Sequence, residues 1–502
     1  MAVGGKIGHR WIAGLVFIIS MLFYWSTLAP TVTWGDPAKL TNLAYLNYLR
    51  LHTANHPLHN LIGHYWGRLP FSDYSFGQNL LSAIFASLTV LLLYFVVYRL
   101  TESVFASAVA SLSMTVAHTF WWLAVINESY SMAFFFFVLS ILAEINWLQT
   151  KKAGWLYLAS FALGIGISDH YILAVFAPPF VIAALLENPR LIFDFKKVLM
   201  VIFCFISGAG LLVFIYLTQL PPLTWAYMVE PTDIESIWKM VRELIRFPLY
   251  IFYQFPVVGF LLGMSGLWYS RKEKISIFSL LLVLFLINYF FSAIYMWQRQ
   301  PEMMVFSYII YAVWIGIGSK ALLTWLGSFK PSNSSVYIGL LVLLICTMPL
   351  ATYYASPLIA KQIGGNVLKI RTLPYRDNDR YFLLPDKRHE TGARRFGEEV
   401  FATVLPDSMI VADFTPYTVL EYLQLVEKKR PDVKLIYPTP GPTNPMYKGL
   451  VEMNINKAPI YLVDIDDYME QYGIERLNSQ YRFEKTGPIY RVLPKAQDRD
   501  HE

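Results

Sequence analysis

Apolar windows of about 20 residues, the length a helix needs to cross a bilayer, recur along the chain. They fall at 11–29, 79–98, 103–119, 128–148, 155–168, 171–187, 198–219, 248–269, 275–294, 304–327 and 336–354. Eleven spans is an odd number, so the two ends of the chain are expected on opposite faces of the membrane. The pair 155–168 and 171–187 is short and separated by "SDH"; a re-entrant hairpin there would leave the parity unchanged. The first window lacks a small-residue cleavage site and reads as a retained anchor.

Two segments between windows are longer than connectors need. Residues 30–78 contain "AKLTNLAYLNYLRL" and "HPLHNLIGHYWGRL", short amphipathic pieces expected to lie along the interface. Residues 220–247 contain "PPLTW", a turn, and "DIESIWKMVRELIRF", apolar and charged at helical spacing. After residue 356 the pattern changes. "TGARRFGEEVFATVL" and "PYTVLEYLQLVEKK" read as helices, as does a piece near 444–455. "SMIVAD", "VKLIY" and "PIYLVD" read as strands, with a closing hairpin around "KTGP". The expected architecture is an α-helical polytopic membrane protein over 1–356, followed by a small soluble α/β domain over 357–502.

Composition agrees with this division. Of the 502 residues 56% are hydrophobic, 16% aromatic and only 15% charged, and more than half of the charged residues follow Arg371. The net charge of +6 forms no basic run, which excludes a nucleic-acid partner. Both cysteines, Cys204 and Cys346, lie in apolar windows, so the tail has neither a disulfide framework nor a cysteine-based zinc site. With the N-terminus cytoplasmic, the inner segments hold twelve Lys and Arg residues against seven in the outer loops. The long loops and the tail are then extracytoplasmic.

That orientation gathers the candidate chemistry on one face: Asp36 in "TVTWGD", the cluster His52, His56, His59, His64 and Arg68, then Glu128, Asp169, His170, Glu230, Asp233, Arg299 and Glu302. Carboxylates at the edge of the hydrocarbon are costly unless paired or functional. One exposed carboxylate beside cations suits transfer from a lipid phosphate: Asp36 would take a proton from an acceptor hydroxyl attacking a sugar C1. Arg68, Arg299 and the histidines would stabilise the phosphate leaving group. The four histidines could instead bind a metal, although Pro57 interrupts the helix between them. Asp169 and His170 could pair with each other or cap a helix end, and Glu128 could be a charge at a helix N-terminus. Trp121 and Trp122 read as an interfacial aromatic belt.

Several blocks in order resemble a known family: "PTVTWGD", "NHPLHNLIGHYWGRL", "HTFWWLAVINESYSM", "GIGISDHYIL", "PPLTW" and, in the tail, "ADFTPYTVLEYLQLVEKKRPDVKLI". The chain resembles the multi-spanning protein O-mannosyltransferases that include the plexin-type animal enzyme and bacterial relatives, within the GT-C glycosyltransferase class. By that resemblance Asp36 matches the presumed catalytic base of the first outer loop, with His56 and Glu128 beside it. The resemblance further implies a polyprenyl-phosphate sugar as donor and inversion at the anomeric carbon. The expectation is a glycosyltransferase of a bacterial inner membrane, acting on a hydroxyl-bearing acceptor at the periplasmic face. No cofactor is expected, and a divalent ion stays an open alternative. The rival is a non-catalytic transporter or flippase, which would need a polar path to both faces; the inner halves of the spans offer few such groups.

Overall fold

The computed structural model describes residues 8–50, 55–219, 234–295, 301–329, 334–437, 451–452, 454–465 and 481–495. Each of the eleven apolar windows lies on a helix or a bent helix pair. Helix α1 (Gly8–Thr27) leads into the long loop with α2 (Asp36–Tyr45) and α3 (Pro57–Trp66), and α4 (Tyr74–Thr101) returns through the bundle. Helices α5 (Val104–Thr115) and α6 (His118–Ala124) meet at a 69° bend and precede α7 (Tyr130–Thr150), α8 (Ala153–Asp169) and α9 (Ala177–Glu187). Helices α10 (Phe195–Gly208) and α11 (Gly210–Gln219) meet at 68°. Helices α12 (Ile234–Gln254) and α13 (Val258–Ser270) meet at 116°, followed by α14 (Ile275–Tyr295), α15 (Val305–Phe329) and α16 (Ser334–Gln362). Among the described residues six helices are long and apolar enough to cross a membrane alone, or nine with each bent pair counted as one span; α8 and α9 occupy the two short windows.

Close helix contact replaces the hydrophobic effect as the organising force inside a bilayer. A Cβ at Gly164 would lie 2.2 Å from the Phe205 carbonyl, and one at Gly208 would lie 2.2 Å from the Phe161 carbonyl, so α8 and α10 touch backbone to backbone. Gly266 and Gly318 do the same for α13 and α15, with Cβ distances of 1.7 Å to Trp314 O and 2.1 Å to Leu262 O. Large apolar side chains such as Trp11, Phe195 and Phe203 face outward, as lipid contact requires.

The tail contains α17 (Asn378–Leu383), α18 (Gly392–Thr403) and α19 (Phe414–Leu425). Its strands are β1 (Met409–Val411), β2 (Lys434–Ile436), β3 (Ile460–Leu462), β4 (Tyr481–Thr486) and β5 (Ile489–Pro494). The sheet order is β2-β1-β3-β5-β4. Strand β1 lies parallel to β2 and β3, and β5 is antiparallel to β3 and β4. The β4–β5 hairpin turns at Gly487, whose φ is +60°. All but α17 are elements expected from the sequence; the helix near 444–455 lies largely outside the described residues.

Three expectations are corrected. Helix α2 does not lie free along an interface: Ala38, Leu40, Thr41, Asn42, Leu43 and Ala44 are all buried, because α19 of the tail packs on one side of it and α3 on another. The helix predicted in 220–247 is not separate from the next window; α12 runs from Ile234 through Pro248 to Gln254, and the break falls at Phe255–Val257. Trp121 is no belt residue. It is fully buried, and its Nε1 donates to Thr27 Oγ1 at 2.9 Å, since its indole fills the space between α1 and α6.

Candidate active site

Asp36 opens α2. The preceding Gly35 has φ +75° and ψ −127° and Pro37 follows, so the chain turns sharply and enters the helix with a residue suited to its first turn. The helix N-terminus favours the ionised carboxylate. Asp36 is exposed, yet Thr33, Trp34, Gly35, Pro37 and Ala38 around it are buried. The carboxylate reaches solvent from among packed neighbours, and their desolvation raises its pKa above the ordinary carboxylate value.

Glu128 sits two residues before α7 and is 8% exposed. Its carboxyl is pushed well above the usual range, first by burial and then by the negative charges of Asp36 and Glu302. Three acids from separate parts of the chain therefore share one field. The Glu128 backbone is fixed by Ser82: Glu128 N–H donates to Ser82 Oγ at 3.2 Å, and the Ser82 hydroxyl lies 3.4 Å from the Glu128 carbonyl.

Asn127 ties this segment to the long loop. Its Nδ2 donates to Thr41 Oγ1 at 2.9 Å and its Oδ1 lies 3.0 Å from His59 Nε2. Because Oδ1 can only accept, His59 carries its proton on Nε2. His59 is 1% exposed and burial depresses its pKa to about 3, so it is a neutral strut between α3 and Asn127.

The other histidines divide. His56 Nδ1 donates to the Asp169 carbonyl at 2.9 Å, which leaves Nε2 unprotonated, and burial lowers its pKa to about 4. Its ring lies 4.7 Å from that of His170, which lies 4.7 Å from Tyr130. His64 Nδ1 donates to Ala44 O at 3.1 Å, and its Nε2 accepts from Arg68 at 2.9 Å. Thr41 meets His59 through Asn127 and Ala44 meets His64, so α2 and α3 run alongside in the same sense. Ala44 is eight residues beyond Asp36, which puts the His64–Arg68 pair roughly 12 Å along α2 from the acid.

Asp169 and His170 do not pair with each other. His170 Nδ1 accepts from the Ile172 N–H at 3.4 Å and caps the following turn. Asp169 is 0% exposed, and neither carboxyl oxygen has a hydrogen-bond partner. Arg299, His52, Glu230 and Asp233 lie outside the described residues. Among the described residues no group of three His, Cys, Asp or Glu side chains could hold a metal ion.

The tail packs against the loop that carries Asp36. Val32, Trp34 and Ala38 belong to the same hydrophobic core as Phe396, Val400, Val419 and Tyr422, and the Trp34 and Phe396 rings lie 5.3 Å apart. Asp73, at the other end of the loop, caps α4 through Phe76 N–H at 2.8 Å and receives Arg394 at 2.7 Å. Sequence reading did not single out Asn127, Thr41, Asp73, Arg394 or Thr418. Only Asp73, as a helix-capping residue before "YSF", carried a local signal.

A multi-helix bundle carrying a small α/β tail is a GT-C-like fold, and solved structures share it. The ArnT of Cupriavidus metallidurans bound to undecaprenyl phosphate aligns over 99% of both chains, with a TM-score of 0.57 at 13% identity. Its apo state aligns over 96% of both chains at 0.58 and 12%. The arabinofuranosyltransferase AftD from Mycobacteria aligns at 0.51 and 11%, covering 98% of this chain and 40% of that one. In sequence, residues 45–191 match the family described as the protein O-mannosyl-transferase TMEM260 N-terminal domain, so over less than a third of its length the chain resembles that family. No curated protein matches the sequence.

Proposed function

We propose that the protein is an inverting glycosyltransferase that moves a sugar, mannose being the first candidate, from a polyprenyl-phosphate donor to a hydroxyl of a protein, lipid or glycan. The reaction would take place at the extracytoplasmic face of a bacterial inner membrane. The observation that carries the reading is Asp36: a solvent-reachable carboxylate among buried neighbours, whose charge is felt by a second, buried acid, Glu128.

Asp36 takes the proton of the acceptor hydroxyl as its oxygen bonds to the sugar C1. The bond from C1 to the phosphate oxygen breaks, and its electron pair leaves with the lipid phosphate. A raised pKa makes Asp36 a better base while the helix N-terminus keeps it ionised. Glu128, whose burial favours the protonated form, is placed as a hydrogen-bond donor to the departing phosphate. His56, with Nε2 unprotonated, accepts from a sugar hydroxyl, and His59 and His170 shape that end of the site. His64 and Arg68 meet outlying parts of the donor, and Arg299 is a further candidate phosphate contact. Asp169 supports His56 through its carbonyl.

The test is transfer by purified protein in nanodiscs, using radiolabelled undecaprenyl-phosphate sugars and a membrane extract as acceptor. Wild type should transfer label, and a stably folded Asp36→Asn variant should lose about a hundredfold or more in rate. Equal activity in the variant would remove Asp36 from the mechanism. Movement of the donor between leaflets without transfer would favour the flippase.

A further inference from the structure

The loop that carries Asp36 is gripped from the soluble tail. One face of α19 presents Thr418, Glu421 and Tyr422, spaced to lie together on a helix. The Thr418 hydroxyl lies 3.2 Å from the Gly35 carbonyl and 3.1 Å from Thr415 O in its own helix, and it shares its proton between them. Asn42 Nδ2 answers from α2, donating to Thr418 O at 3.1 Å and to Glu421 Oε2 at 2.8 Å. Tyr422 OH stands 3.5 Å from Asp73 Oδ1 and accepts from Ser75 N–H at 3.4 Å. Helix α19 thus touches the peptide before Asp36, the second turn of α2 and the start of α4.

Gly35 is where such a grip matters. Its φ of +75° and ψ of −127° lie where only glycine rests easily, and no side chain caps α2. Its carbonyl also accepts the Lys39 N–H at 3.0 Å, the first bond of α2. Rotation of that peptide would swing the Asp36 carboxylate and release the first helical turn together.

We propose that the tail is part of the catalytic apparatus: Thr418, on α19, is a positioning residue that fixes the Gly35 peptide and so aims Asp36. The proposal rests on Asp36 being the base. It assigns the tail a role beyond acceptor capture or anchoring, and it explains why Thr418 is 1% exposed at a junction between two parts of the chain.

The experiment uses full-length protein in nanodiscs with radiolabelled undecaprenyl-phosphate mannose, comparing Thr418→Val, Thr418→Ser and Asp36→Asn. Amide exchange of the peptide covering residues 33–42 is followed in parallel. Thr418→Val keeps the shape and loses the hydroxyl. It should lower kcat about tenfold with KM for the donor unchanged, and exchange at the Lys39 amide should quicken by a similar factor. Thr418→Ser should restore both to within about twofold. Unchanged exchange in Thr418→Val overturns the proposal whether or not a donor turns over. An unchanged kcat in Thr418→Val, with Asp36→Asn inactive, overturns it as well. If Asp36→Asn stays active the base is wrong, and exchange alone then decides whether α19 holds the turn.

Discussion

Arg394 closes the long loop over residues 30–78 onto the tail. Its Nε donates to Thr31 Oγ1 at 2.6 Å, one terminal nitrogen reaches Asp73 Oδ2 at 2.7 Å and also Glu427, and the other reaches Glu398 at 3.1 Å. Arg394→Met keeps most of the stem and removes the charge. Breaking a fully buried pair costs about 3–5 kcal/mol. Here the Arg394 and Asp73 side chains keep 23% and 18% of their exposure, and Lys429 still stands 3.0 Å from Glu427. The expected loss is therefore about 2–3 kcal/mol, mostly from Asp73 left without a cation. Asp73→Asn isolates the pair, because asparagine caps α4 as well as aspartate does. The coupling between the two substitutions should be about 1–2 kcal/mol. Native-state proteolysis at low protease concentration reads the population in which the tail has lifted. A change under about 0.5 kcal/mol for Arg394→Met, or additivity with Asp73→Asn, would refute the latch.

Two further outcomes follow from the same geometry. Trp34→Ala should destabilise the tail–loop junction by about 3–5 kcal/mol, because Trp34 is 3% exposed within the tail's core; thermal unfolding of the purified protein measures it, and a shift no larger than that of a surface substitution would contradict this packing. Acid should destabilise the folded protein below about pH 6.5, the ordinary histidine value. The buried His59 refuses the proton down to about pH 3, whereas the unfolded chain accepts it, so each pH unit below 6.5 removes about 1.4 kcal/mol per such histidine. His56 adds a loss of the same kind over a shorter range, ending near pH 4. His59→Gln should flatten the profile between pH 6.5 and 4, and an unchanged profile would mean that His59 is already charged or already wet.

The membrane bundle was legible because apolar length is a one-dimensional property: a window either spans hydrocarbon or it does not. The tail's strands and helices were legible from their periods, as α18, β1, α19 and β2 show. Asp36 stood out because a carboxylate nine residues beyond α1 is unusual at a membrane edge. The histidines could not be sorted one from another, since spacing cannot tell which ring face is covered. His59 is sealed against Asn127, while His64 turns to Arg68.

The sequence by itself determined a polytopic helical protein with a small α/β tail, and singled out Asp36 as a candidate, because hydrophobic period and length act locally along the chain. Only the tertiary structure decided that the tail is built around Val32, Trp34 and Ala38, that Glu128 and Glu302 come to share Asp36's field, and that α19 grips Gly35 from nearly four hundred residues away. Hydrogen bonds and charges act over a few ångströms of space whatever their separation in sequence, so no pattern along the chain announces which distant residues will meet.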